Sequence, residues 1–137
     1  MFKRIGAIIL AALCLLSVGG ANKTPIFKDY ATEFEVYIGE ATSAAQIVSV
    51  TESDFRFVSS VCGESFKAEK EDFNLEKFLS EFSARIIFTE EIAEGVSYYA
   101  YSPKIKYRQT VKGQTVNLQV FIGKQVTVGA PIICGSF

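Results

Sequence analysis

The stretch VNLQVFIGKQVTVGA, residues 116–130, decides the fold. Val116, Leu118, Val120 and Ile122 recur at every second position, Gly123–Lys124 interrupts, and Val126, Val128 and Ala130 resume the alternation. Successive side chains of a strand point to opposite faces, so the pattern predicts two strands joined by a tight turn, each with an apolar face. Such short separations select antiparallel hairpin partners over parallel crossovers.

Working back from there, the same period runs to residue 84. Arg85–Glu90 places Ile86 and Phe88 on one face and Ile87 and Thr89 on the other. Glu94–Gly95 is a turn signal, and Ser97–Ser102 carries the core Tyr98–Tyr99–Ala100–Tyr101. Pro103 ends that strand, since proline removes a ladder donor. Ile105–Val111 predicts a further strand, and Lys112–Gly113–Gln114 the turn leading into residue 116. Ahead of this meander, Leu75, Phe78, Leu79 and Phe82 recur at helical spacing, predicting a helix over Leu75–Ser83 with Asn74 as its N-cap. Phe73 at N′ and Phe78 at N4 are placed to pack as a hydrophobic staple.

The first half is less explicit. Thr32–Gly39 alternates Phe34, Val36 and Ile38 against Glu33, Glu35 and Tyr37, a strand with one wet face. Thr42–Thr51 and Asp54–Cys62 each fit a helix or a strand. Gly63–Asn74 is polar and acidic, and reads as solvated surface with a short strand over Ser65–Ala68; its carboxylates lack calcium-loop spacing. The fold class expected is α+β: a curved antiparallel sheet packed against a principal amphipathic helix. It occupies one domain over residues 32–137, with a lead-in over 22–31.

Val116–Asn117–Leu118–Gln119–Val120 and Val126–Thr127–Val128–Gly129–Ala130–Pro131–Ile132–Ile133 resemble the C-terminal pattern of the YwmB-type family, uncharacterised secreted proteins of Gram-positive bacteria. The preceding helix and the Tyr101–Ser102–Pro103 junction are compatible with it, over residues 74–137. The resemblance implies a helix on a curved, TATA-box-binding-like sheet and an envelope location. It carries over no catalytic residue.

The start of the chain implies export. Lys3–Arg4 precedes Ile5–Val18, an apolar run of 14 residues, and Gly19–Gly20–Ala21 resembles a cleavage site. The run is shorter than the roughly 20 residues that span a bilayer, so a cleaved leader over residues 1–21 is expected, with a retained N-terminal membrane anchor as the alternative. Cys14 would leave with the leader. The remainder carries twelve basic against fifteen acidic residues, a poor match to nucleic acid, which selects a concentrated positive surface. Cys62 and Cys134 suit either an export-permitted disulfide or two buried small side chains. Their spacing fits neither a redox motif nor a local metal site.

The chain has no histidine, the usual proton shuttle and metal ligand near neutral pH. The serines lack a nucleophile motif, and Glu90 and Glu91, adjacent on a strand, face opposite ways. No catalytic residue, metal site or cofactor is assigned. Lys104, Lys106 and Arg108, spaced by two, would line one face of a strand whose other face holds Ile105 and Tyr107, with Lys112 extending the patch around the turn. Edge-strand charging gives the same pattern; attraction to an anionic polymer, a lipid surface or an envelope protein is the sharper alternative. Tyr99 and Tyr101 share a face opposed to Tyr98, as cross-strand packing or as an aromatic contact surface. The function expected is a noncatalytic envelope binding or accessory domain. The alternatives are a small histidine-free hydrolase and a structural envelope-assembly module.

Overall fold

The computed structural model describes residues 24–134. The leader expected over 1–21, with its Cys14, lies outside them. The fold is α+β, mostly antiparallel strand with few and short helices. The chain divides into two compact units after Phe66.

In the first unit β1 (Glu33–Ile38) lies between β2 (Gln46–Thr51) and β3 (Val61–Glu69), antiparallel to both. The two ambiguous stretches resolve into both forms. A single 3-10 turn at Thr42–Ala44 precedes β2, and a one-turn helix α1 (Glu52–Phe55) precedes β3. Val36, Val48, Val50, Phe55 and Val58 form the core of the unit, with Ile38 and Val61 packed against it.

Two expectations about this unit are corrected. The second face of β1 is not uniformly wet, because Tyr37 is fully buried. Gly63 stands opposite it on β3, and a residue without a side chain leaves room for a ring to lie flat across the ladder. The strand expected over Ser65–Ala68 forms within β3, and Lys67, Glu69–Asp72 and Asn74 are exposed, but Gly63–Phe66 is buried where solvated surface was expected. Glu64 is 1% exposed, and its Oε1 accepts the Ile26 N–H at 2.9 Å. The lead-in is likewise anchored. Phe27 is fully buried with its ring 4.9 Å from Phe66, on which Tyr30 stacks.

The second unit holds the meander. After a 3-10 turn at Lys70–Asp72 comes α2 (Leu75–Glu81). Asn74 caps it by accepting the Lys77 N–H at 3.0 Å, and the Phe73–Phe78 staple forms with ring centroids 5.2 Å apart. At seven residues α2 is shorter than its periodicity predicts, and Phe78 is its buried residue.

Four strands follow in the spatial order β4 (Arg85–Ile92), β5 (Gly95–Tyr101), β8 (Leu118–Ile122), β9 (Gln125–Ala130). The two-stranded hairpin β6 (Gln109–Val111)–β7 (Gln114–Val116) is inserted between β5 and β8. Its turn, Lys112–Gly113, has φ of 51° and 76°, the mirror-image geometry that matches strand twist.

A bulge at Ile87 overturns the expected sharing of a face by Ile86 and Phe88. Ile86 is opposite Ala100 and Phe88 opposite Tyr99, so the extra residue sends the two side chains to opposite faces. The run Val116–Ile122 is not one strand but two, broken at Asn117. Nor is either face of the sheet open along its length. Leu118, Val120, Val126 and Val128 are buried on one side, and Ser97, Gln119, Phe121 and Thr127 on the other.

Candidate functional site

The predicted strand over Ile105–Val111 forms only at Gln109–Val111. Residues 102–108 have no ladder: Pro103–Lys104 is a turn closed by the Ile105 N–H donating to the Ser102 carbonyl at 3.3 Å, and a buried side chain holds Ser102 and Ile105 in place. Asn117, with no exposed surface, accepts the Ser102 N–H on Oδ1 at 2.7 Å. Its Nδ2 donates to the carbonyls of Ser102 at 2.7 Å and Ile105 at 3.0 Å, and its own N–H donates to the Ala100 carbonyl. The Ser102 hydroxyl, also buried, donates to the Phe82 carbonyl at 2.5 Å and accepts the Lys104 N–H at 3.1 Å. Buried main-chain groups need partners, and Asn117 and Ser102 supply them at Ser102, Lys104 and Ile105. Sequence reasoning missed Asn117. The available signal was a residue disfavoured in strands, set in an apolar alternation downstream of a proline break.

On this frame the chain alternates as a strand does without being one. Ile105 is 1% and Tyr107 8% exposed, while Lys104, Lys106 and Arg108 between and beside them are exposed. Each of these cations meets a neutral group. Lys104 Nζ donates to the Glu81 carbonyl at 3.2 Å. Lys106 Nζ lies 5.6 Å from the centroid of the Tyr107 ring. Arg108 donates to the Tyr101 hydroxyl, with its guanidinium 5.3 Å from the centroid of that ring.

Lys112 differs. Its ammonium pairs with Glu90 Oε2 at 2.7 Å and stands 5.6 Å from the Phe88 centroid. The hydrogen bond to Glu90, and then the charge of Glu90, raise its pKa. The lysine therefore adds no uncompensated charge to the patch.

The three tyrosines of β5 are half-buried. Tyr98 lies on the face of Ala100, and Tyr99 and Tyr101 on that of Ser97. Tyr99 stacks on Phe88 at 4.5 Å. Gln119 Nε2 donates to the Ser97 hydroxyl at 3.1 Å and to the Tyr99 hydroxyl at 3.3 Å, while Gln119 Oε1 accepts the Ile133 N–H. Burial, followed by the charge of Glu90, pushes the Tyr99 phenol upward.

No family model, curated protein or solved structure matches the chain. The site is thus defined by its own geometry: three exposed cations on a segment held at Ser102 and Ile105, the third of them against Tyr101 of β5.

Cys62 and Cys134 are each half-buried, and burial raises the pKa of Cys62 against the opposing effect of its own backbone hydrogen bond. Among the described residues no cluster of Cys, Asp and Glu is arranged to hold a metal ion. No described helix is long and apolar enough to cross a membrane.

Proposed function

We propose that the protein is an exported, noncatalytic binding domain of the cell envelope, which uses Lys104, Lys106 and Arg108 to take up an anionic ligand. The observation that carries this reading is the pairing of each cation with a carbonyl, a ring or a hydroxyl instead of a carboxylate. Cations held in place by neutral groups keep their full charge for a ligand and lose less side-chain freedom on binding it. Lys112, neutralised by Glu90, serves the hairpin instead.

Location at the envelope rests on the leader-like start, and the resemblance of residues 74–137 to the YwmB-type pattern agrees with it. The same proposal takes α2 as the cover of the sheet's apolar face. Buried Phe78 and the bond from the Ser102 hydroxyl to the end of that helix support this.

The test is retention of the protein by washed envelope fractions. The wild type is expected to sediment with them and to be released by salt. A Lys104→Glu, Lys106→Glu, Arg108→Glu variant with an unchanged circular dichroism spectrum is expected to remain in solution. Lys124→Glu, on the exposed β8–β9 turn, serves as the control. Equal retention of the triple variant would end the proposal.

A further inference from the structure

We infer that β2 is an interface for a second copy of this chain, the two strands pairing antiparallel about a two-fold axis through Ser49. The strand lies at an edge. Among the described residues only β1 pairs with it, from Glu33↔Thr51 to Ile38↔Gln46 without a shift of register. Exposed edges are ordinarily kept apart by charges, proline or a bulge. The outer strand of the second unit, β4, carries Arg85, Glu90, Glu91 and the bulge at Ile87. Gln46–Thr51, QIVSVT, has none of these, and its Ile47 is 40% exposed.

Symmetry in the sequence selects a second copy as the occupant. Residues 47–51, IVSVT, read nearly alike in both directions about Ser49: Val48 and Val50 are identical, and Ile47 and Thr51 are both β-branched. A two-fold axis normal to the sheet keeps each face on its own side, so opposed residues must share a face. Centred on Ser49, the pairing sets Val48 against the partner's Val50 on the core side, and Ile47 against the partner's Thr51 on the other. Like meets like at every position, and such cross-strand pairs stabilise a sheet. Centred on Val48, it would set Gln46 against the partner's Val50 and Ile47 against the partner's Ser49. The hydroxyls of Ser49 and Thr51 already bond to Glu33 at 2.8 Å and Asp54 at 3.2 Å, so the pairing leaves neither unsatisfied.

Charge sets the direction. Antiparallel pairing brings the acidic first turn of α1, with Glu52 and Asp54, to the uncharged start of the partner's β2. Parallel pairing would set those acids beside their own copies. The two β1 strands, with Glu33 and Glu35, stay three strand spacings or about 14 Å apart, beyond the screening length in physiological salt. Each β2 has one free edge, so the pairing closes at two copies and does not propagate.

Cysteine cross-linking tests this in the full-length chain in a nonionic detergent, carrying Cys14→Ser, Cys62→Ser and Cys134→Ser. Opposed residues of an antiparallel pair have Cα atoms about 4.5–5.5 Å apart, within disulfide reach. Under mild oxidation Ser49→Cys is expected to form a covalent dimer at least about tenfold faster than Lys124→Cys, because pairing makes the reaction intramolecular. Ile47→Cys and Thr51→Cys should cross-link poorly alone and efficiently when mixed. Sedimentation of the unsubstituted chain should show a reversible dimer growing over roughly 1 μM to 1 mM. Ile47→Lys should weaken it about tenfold, since symmetry counts the change twice.

Equal rates for Ser49→Cys and Lys124→Cys would overturn the inference, as would efficient cross-linking of Ile47→Cys with itself or with Ser49→Cys in place of Thr51→Cys. So would a Ser49→Cys chain that, in envelope fractions, joins a different protein and not its own copy. Should Ser49→Cys fail to fold, the mixed pair at the exposed positions 47 and 51 decides alone.

Discussion

The carboxamide of Asn117 and the main chain of Ser102 form a reciprocal pair, Ser102 N–H to Oδ1 and Nδ2 to the Ser102 carbonyl, each at 2.7 Å. Both residues are without exposed surface, so removing the carboxamide takes this partner from the Ser102 N–H and the Ile105 carbonyl, while the Ser102 carbonyl keeps the Ile105 N–H. A buried polar group left without a partner costs about 1–3 kcal/mol. Asn117→Ala is expected to lower unfolding free energy by about 3–5 kcal/mol, read as a reduced denaturant midpoint. Hydrogen exchange should quicken first at Ser102.

Tyr99 reports on the Glu90–Lys112 pair. Burial and the charge of Glu90 raise the phenol's pKa, whereas the charge of Lys112 lowers it. In ultraviolet difference titrations against Tyr99→Phe, the Tyr99 signal should appear above the ordinary tyrosine range. Glu90→Gln should move it down and Lys112→Gln further up. A raised folded value favours the un-ionised form in the fold. Its contribution to stability is therefore complete below the unfolded tyrosine value and is lost as pH rises through the folded one. The raised pKa of Lys112 acts in the same direction, so unfolding midpoints should fall on the alkaline side, and less so in Glu90→Gln.

Gly95 and Gly113 separate two costs of adding a methyl group. At Gly95 a Cβ would lie 2.2 Å from the Ile122 carbonyl oxygen, between strands that pair on both sides of β5. At Gly113 nothing lies within 4 Å, and only the φ of 76° resists a side chain. Gly95→Ala is expected to cost about 2–3 kcal/mol through overpacking. Gly113→Ala should cost about 1 kcal/mol through backbone strain. Thermal melts of the two variants test the order.

The anchoring of the lead-in is separable from the sheet. Phe27→Ala empties a fully buried site and should cost about 3–4 kcal/mol. Glu64→Ala removes the acceptor of the Ile26 N–H. In native-state hydrogen exchange the Ile26 amide should lose protection in Glu64→Ala, with the amides of β8 keeping theirs.

Legibility in the sequence followed the range of the forces involved. The α2 cap and staple, the β4–β5 and β8–β9 turns and the alternation of β5 and β9 are set by neighbours a few residues apart, and residues 73–130 display them openly. The bulge at Ile87 depends on how β4 meets β5. The break at Asn117 depends on carbonyls 12 and 15 residues away. Glu64 reads as surface because its partner, Ile26, lies 38 residues upstream.

The candidate trio itself was visible as Lys–x–Lys–x–Arg, with its inward residues correctly assigned. Its support was not, because a strand and a side-chain clamp yield the same alternation of buried and exposed positions. The Lys112–Glu90 pair was hidden too, since 22 residues separate its members.

A segment whose course is dictated from underneath has consequences for how such a molecule diversifies. Asn117 addresses only carbonyl and amide groups, which every residue type but proline possesses, so it is indifferent to the letters written at 104, 106 and 108. Those outward positions are free to drift, reversing in sign or turning neutral, while the interior stays untouched. The frame is thus a typesetter's stick: new preferences can be composed on it without recasting the protein that holds them.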